Sequence, residues 1–108
     1  MNFEKRVERQ ESTLIITLMG ELTSPETPEF KTWVTRLLDP APSRVEVRCG
    51  DLRFIDSSGL GALLYLYKHV KSRGGQLRLV EVCGWLQKFL RITGLEEKFC
   101  EAPISESS

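Results

Sequence analysis

Apolar and polar residues alternate in two stretches near the start of the chain. In residues 13–19, Leu14, Ile16 and Leu18 fall on one face, which is the period of two expected for a strand that buries one side. Residues 3–9 precede this stretch across a short polar turn. The pattern predicts two consecutive strands, the second ending at Gly20.

The apolar period lengthens to that of a helix in three later stretches: 25–38, 57–73 and 84–93. Ser24 is a good N-cap for the first helix, and Pro25 suits its first position. Gly74 provides a stop for the second helix. Gly94 fits the left-handed position that often follows a helix, with Leu95 folding back as an apolar contact. The chain therefore contains three predicted helices with defined ends.

Two further strands are predicted at 44–50 and 76–82, one on each side of the second helix. In the first of them Val45, Val47 and Cys49 point to one face and charged residues to the other, so helices are expected to cover mainly one side of the sheet. A strand, a helix and a strand with short connections predict a parallel pair joined by a right-handed crossover. Residues 96–100 are a candidate edge strand.

A chain of 108 residues is the size of one domain, and 41% hydrophobic and 28% charged residues are ordinary for a globular protein. Fifteen basic residues balance fifteen acidic ones, so no concentrated positive field favours direct nucleic-acid binding. No apolar run approaches the roughly 20 residues that cross a bilayer, and the charged N-terminus does not read as a secretory signal. We expect a cytoplasmic α/β domain without membrane insertion.

The three cysteines are widely spaced and the chain has a single histidine, which makes a zinc site a poor interpretation. An odd number of cysteines fits reduced thiols. Cys49 and Cys83 lie among apolar residues and are predicted to be small core residues. The sequence predicts no metal and no cofactor.

The segment FIDSSGLG, residues 54–61, is the candidate site. Asp56 or a serine here can cap the second helix, because their oxygens accept the unpaired N–H groups of its first turn. However, two adjacent hydroxyls exceed what one cap requires, and the carboxyl end of a strand in an α/β sheet is a common docking point. Gly59 and Gly61 leave little side chain beside Ser57, so another protein could approach closely.

Two enzymatic interpretations are weaker. A nucleophile elbow needs glycine two residues before its serine, and Ile55 stands there. His69 lies twelve residues after Ser57 on the predicted helix, too far along it to form a Ser–His pair. The glycines at 59, 61, 74 and 75 also lack the spacing and the lysine of a phosphate-binding loop.

Two residues of the second helix are candidate contacts for a partner. Tyr65 is predicted to be exposed, and Leu66 is predicted to lie at the margin of the apolar stripe.

The chain resembles the STAS family, particularly its anti-sigma-factor antagonists. The resemblance is carried by FIDSSGLGALL at the junction of strand and helix, by GGQLRLV, and by RITGLEEKF near the end of the last helix. It implies a single STAS-like α/β domain at residues 1–101, with a small mixed sheet and helices mainly on one face. Residues 102–108 would then be a loose polar tail.

The resemblance also implies a partner switch rather than an enzyme. In the family, the first serine of D-S-S-G is phosphorylated by a histidine-kinase-like (GHKL-type) protein that is both serine kinase and anti-sigma factor, and a serine phosphatase resets the switch. Carried over, Ser57 is the phosphoacceptor. The other residues predicted to contact the partner are Asp56, Ser58, Gly59, Gly61, Thr23 and Tyr65.

One residue departs from the family pattern. Many antagonists carry an aspartate after G-E-L, and this chain has Thr23. The departure bears on kinase recognition, and it leaves a second interpretation open. STAS domains also serve as subunits of lipid-transport ABC complexes, where the same surface holds an ATPase subunit and no phosphorylation switch is needed.

Overall fold

The computed structural model describes residues 3–99. Four strands form one sheet, and the chain runs through them in sequence order, with the helices placed between and after them. The elements are β1 (Phe3–Gln10), β2 (Thr13–Leu22), a 3₁₀ turn (Ser24–Glu26), α1 (Thr27–Leu37), β3 (Arg44–Ile55), α2 (Ser57–Ser72), β4 (Gln76–Val80), α3 (Gly84–Ile92) and α4 (Glu96–Phe99).

The sheet is mixed, in the order β1-β2-β3-β4. β1 and β2 form an antiparallel hairpin, whereas β2 pairs with β3 and β3 with β4 in parallel. The predicted parallel pairing of the strands on each side of α2 is confirmed. Because β2 and β3 are parallel neighbours, their carboxyl ends reach the same edge of the sheet, where Leu22 pairs with Ile55.

The core lies between the sheet and the helices. Alternate residues of β2, β3 and β4 are fully or almost fully buried on this side, among them Ile16, Val47 and Leu79. Phe30 and Val34 of α1 pack onto the same core. The prediction that Val45, Val47 and Cys49 of β3 face the core is therefore confirmed, and none of the three has exposed surface. Cys83 is only half-buried at the margin of the core.

The opposite face of the sheet carries charged side chains instead of helices. Arg78 of β4 donates to Glu46 of β3 at 3.0 Å, and Arg48 donates to Glu81 at 2.7 Å. Glu46 and Arg48 alternate along β3 with the buried residues, which explains why charged and apolar residues alternate in its sequence. The expectation that helices cover mainly one face is confirmed.

Several predicted element ends are wrong. β2 does not end at Gly20: it continues to Leu22 through an irregular register, and Gly20 adopts a positive φ of 91° there, a backbone state that glycine reaches without a steric penalty. The helix predicted from residue 25 begins as a 3₁₀ turn with Thr23, not Ser24, at the N-cap. β3 extends five residues beyond its predicted end at Gly50, to Ile55.

The C-terminal predictions are mixed. Gly94 does take a positive φ, 78°, and the N–H of Leu95 returns to the carbonyl of Leu90 at 2.9 Å, which confirms the predicted helix stop. β4 ends at Val80 rather than at residue 82. The candidate edge strand at 96–100 is wrong, since Glu96–Phe99 is a single helical turn with Phe99 buried. Cys100 and the predicted tail 102–108 lie outside the described residues.

None of the helices in residues 3–99 is both long enough and apolar enough to span a membrane.

Candidate functional site

The segment Asp56–Gly61 begins α2 at the point where β3 ends. The neighbouring strand β2 ends beside it, so that Thr23 and Ser24 lie next to Asp56 and Ser57. The two connections are joined by hydrogen bonds: the N–H of Asp56 donates to the carbonyl of Leu22 at 3.3 Å, and the N–H of Ser24 donates to Asp56 Oδ2 at 3.0 Å. The site is thus built from two adjacent strand ends.

Asp56 is the N-cap of α2. Its Oδ1 accepts from the N–H of Gly59 at 2.8 Å, while Oδ2 accepts from Ser24 in the neighbouring connection. Both carboxylate oxygens are therefore occupied by main-chain donors, and the half-buried side chain fixes the start of the helix against the end of β2. The cap interpretation of FIDSSGLG is correct for Asp56, which leaves the two hydroxyls to be explained.

Ser57 and Ser58 are the first two residues of α2, and both are exposed. Neither hydroxyl forms a hydrogen bond with any residue in the described range. Their main-chain N–H groups precede the first intrahelical bond, which Leu60 donates to the carbonyl of Asp56 at 2.9 Å. The site therefore presents hydroxyls and N–H groups to solvent at the positive end of a helix.

The two glycines differ. Gly59 is buried, and a Cβ built on it would collide with the main-chain carbonyl of Leu22 and approach Ile55 Cγ1 to 2.7 Å. The prediction that Gly59 opens space for a partner is therefore wrong, because this space is filled by β2. Gly61 is exposed, and a Cβ there would meet nothing within 4 Å. Only Gly61 offers a bare surface beside the serines.

Thr23 caps the 3₁₀ turn together with Glu26. The Thr23 hydroxyl donates to Glu26 Oε1 at 2.7 Å, and the Thr23 N–H donates to the same oxygen at 3.2 Å. The hydroxyl bond is the main cause that lowers the pKa of the Glu26 carboxyl below its ordinary value. The Glu26 carboxylate thus stands next to the neutral Thr23.

Tyr65 is not the exposed residue that the sequence predicts. It is half-buried, its ring packs on His69 with centroids 4.2 Å apart, and its hydroxyl lies 3.1 Å from Thr35 Oγ1 of α1. Tyr65 is also eight residues from Ser57, about 12 Å along the helix. Leu66 is fully buried, so its predicted place at the margin of the apolar stripe is wrong. These two residues stabilise the packing of α2.

A groove that the sequence analysis missed opens directly beside Ser57. It lies between the end of β3 and the outer side of α3, has a volume of about 470 Å³, and is open to solvent. We call it the α3 groove. Its lining residues are Phe54, Ile55, Asp56, Ser57, Trp85, Lys88, Phe89 and Ile92. Trp85 keeps 37% of its surface exposed on this side of α3.

The sequence and the fold are similar to those of known proteins. The sequence model described as the STAS domain matches residues 4–108. This chain belongs to the STAS family. The anti-sigma-B factor antagonist of Bacillus subtilis (strain 168) is 27% identical over 97 residues, with 90% of this chain and 88% of the relative covered.

Two further comparisons agree with this STAS assignment. The anti-sigma F factor antagonist of Paenibacillus polymyxa is 30% identical over 100 residues, covering 88% of this chain and 82% of that protein. The solved structure of the anti-sigma factor antagonist SpoIIAA in its unphosphorylated form superposes with a TM-score of 0.79 at 20% identity, covering 97% of this chain and 89% of that one. The resemblance to the antagonist type is confirmed.

The α3 groove of this STAS domain did have a signal in the sequence. Leu86 and Leu90 of α3 are buried, which accounts for one apolar stripe. Trp85, Phe89 and Ile92 form a second stripe at the i, i+4, i+7 positions, and one buried face does not need both. A helix that is apolar on two sides indicates a second contact.

Proposed function

We propose that this STAS domain is an anti-sigma-factor antagonist that acts by partner switching in the cytoplasm. The unphosphorylated form binds a GHKL-type serine kinase that is also an anti-sigma factor, and thereby releases the sigma factor. Phosphorylation of Ser57 abolishes this binding, and a separate serine phosphatase restores it. The domain is a substrate and a binding module, not an enzyme.

The observation that carries this proposal is the Ser57 hydroxyl. It is exposed, makes no hydrogen bond to any of residues 3–99, and stands on the first turn of a helix whose start is fixed by Asp56. A kinase can therefore reach the hydroxyl without breaking an internal contact. The curated relatives, two named antagonists of anti-sigma factors, support the same role.

The physical effect of the phosphate falls on the complex rather than on the fold. A phosphoserine adds about −1.5 to −2 charges, and the N-terminus of a helix favours such a charge by roughly 0.3–1 kcal/mol. The hydrogen bonds that hold the site together are accepted by Asp56, and the Ser57 hydroxyl takes no part in them. In a complex, a desolvated like-charge contact or lost hydrogen bonds costing ~3 kcal/mol would weaken binding about a hundredfold.

The first test compares Ser57→Ala and Ser57→Asp with the wild type in affinity capture from the native lysate. The captured anti-sigma factor is then purified and titrated calorimetrically. We expect Ser57→Ala to bind like the wild type and Ser57→Asp to bind at least tenfold less tightly, since about 1.4 kcal/mol corresponds to that factor. Ser12→Asp places the same charge in the exposed β1–β2 turn and should bind normally.

The second test is phosphorylation of the purified domain by the captured kinase and ATP. Mass spectrometry should locate the phosphate on Ser57, with no product from Ser57→Ala and normal product from Ser58→Ala. Equal binding by Ser57→Ala and Ser57→Asp would contradict the switch. A stable complex with a transporter ATPase, unaffected by Ser57→Asp, would instead support the lipid-transport interpretation that the neutral Thr23 leaves open.

A further inference from the structure

The α3 groove concentrates the exposed apolar surface of the domain. Within residues 3–99, four large apolar side chains are exposed, and three of them line this groove: Phe54 at 49%, Trp85 at 37% and Ile92 at 72%. The fourth, Val7, lies on β1 outside the groove. Large apolar residues gathered in one place on a surface mark an interaction site more reliably than scattered ones.

The charges around the groove specify what it can accept. Lys88 is the one cation in the lining, and it has no carboxylate partner within the described part of the chain, whereas the nearby Arg91 pairs with Glu96 at 3.5 Å. Asp56 is the one carboxylate in the lining, and both of its oxygens accept main-chain N–H groups. The Asp56 carboxylate keeps its charge but both of its oxygens are engaged, so Lys88 is the charged group of the lining that is left for a partner to pair with.

These features fit an amphipathic segment of a protein. The groove has a volume of about 470 Å³ and is open to solvent along the outer stripe of α3, a shape that suits an elongated occupant lying across it. A segment that places apolar side chains at i, i+3, i+4 spacing would fill the floor between Trp85 and Ile92. An aspartate or glutamate on that segment would pair with Lys88.

We propose that the α3 groove is the docking site for an acidic, apolar segment of the anti-sigma factor. This inference rests on the proposed function and adds a surface to it. Ser57 forms part of the groove wall, so a phosphate on Ser57 would place its negative charge beside the acidic segment and compete with it for Lys88. One site then both holds the partner and responds to phosphorylation.

The test uses two exposed groove residues, each with a matched control elsewhere on the surface. Ile92→Lys introduces a charge into the floor, and Val7→Lys makes the same kind of change on β1. Lys88→Glu reverses the rim charge, and Lys68→Glu makes that reversal on the exposed side of α2. Binding of the purified anti-sigma factor is measured by calorimetry, after circular dichroism and thermal unfolding have shown that each variant is folded.

We expect Ile92→Lys and Lys88→Glu to weaken binding at least about tenfold, as interface anchors do, and both controls to bind within about twofold of the wild type. If Ser57→Asp weakens binding but both groove variants bind normally, the groove is not the docking site and the proposed function stands. If the groove variants weaken binding and Ser57→Asp does not, the docking site stands and the phosphate switch fails.

Two other occupants are tested in parallel. Sedimentation of the wild type and Ile92→Lys would reveal a dimer that closes the groove with a second copy. Removal of residues 100–108, which contain an isoleucine between glutamates, would raise affinity for the anti-sigma factor if this segment occupied the groove. Either result would overturn the proposed occupant, and a monomer whose affinity does not change on truncation supports it.

Discussion

Gly59 is the residue whose size the structure constrains most directly. A methyl group there would collide with the carbonyl of Leu22, which is main chain and has little freedom to move. We expect Gly59→Ala to lower the free energy of unfolding by roughly 1–3 kcal/mol, as overpacking does in well-packed interiors. Urea denaturation monitored by circular dichroism measures the change.

Gly61 provides the matched control for this substitution. It lies two residues further along the same helix, is exposed, and has open space where a Cβ would stand. Gly61→Ala should therefore stabilise the domain by roughly 0.5–1 kcal/mol, because glycine is a poor helix former. Equal effects of the two substitutions would show that the tight contact with β2 is not what requires glycine at position 59.

The Cys49 thiol should be unreactive towards alkylating reagents in the folded domain. Burial is the main cause that raises its pKa, to about 12, with smaller contributions from Cys83 and Glu81. At pH 8 its thiolate fraction is about a thousandfold below that of an ordinary thiol. We expect iodoacetamide to label Cys83 well before Cys49 in the native protein, as measured by mass spectrometry of the peptides.

The same pKa shift affects stability at high pH. The unfolded thiol loses its proton near pH 8.5, before the folded one does. The contribution of Cys49 to the free energy of unfolding is therefore complete below that pH and declines as the pH rises towards 12.

The control for the labelling experiment is the denatured protein, in which Cys49 and Cys83 should react with iodoacetamide at similar rates. Rapid labelling of Cys49 without denaturant would contradict its burial.

At the scale of elements, the junction between β3 and α2 depends on one side chain. Asp56 accepts a hydrogen bond from the first turn of α2 and another from the connection after β2. Loss of an N-cap costs about 0.5–2 kcal/mol, and we expect Asp56→Ala to fall at the upper end because the second bond is lost as well. Asp56→Asn should cost less, since it keeps one oxygen for the cap.

The control for this prediction is Asp51→Ala. Asp51 is exposed on β3, and its carboxylate accepts no hydrogen bond from another of the described residues. Chemical denaturation of the three variants separates the role of the cap from the removal of a negative charge. Equal losses for Asp51→Ala and Asp56→Ala would exclude a specific role for Asp56.

At the scale of the whole molecule, periodicity predicted the features that repeat over many residues. The alternation of Val45, Val47 and Cys49 and the long apolar stripe of α2 are produced by burial against a single core, and their sequence patterns are correspondingly clear. The turn Glu96–Phe99 has only four residues, too few to distinguish a helical period from an alternating one. β2 continues past Gly20 through an irregular register that alternation does not reveal.

The candidate site was predictable in its motif and less so in its geometry. Asp56, Ser57 and Ser58 are adjacent in the sequence, so their position at the start of a helix could be inferred. The close approach of Leu22 to Gly59 joins residues 37 positions apart, and only pairing of β2 with β3 brings them together. The α3 groove likewise combines residues of β3 with residues of α3, and exposure of Trp85 depends on how that helix docks.

The fixed start of α2 has a consequence for any enzyme that modifies Ser57. The start of α2, which carries the Ser57 hydroxyl, is held by hydrogen bonds that Asp56 accepts from Gly59 and from Ser24. A short peptide copied from residues 54–61 would lack Ser24 and the rest of the connection after β2. An enzyme fitted to this surface would recognise a shape rather than a linear consensus, and an unfolded copy of the chain would escape modification. The chemical mark on Ser57 would then report that the molecule carrying it had already folded.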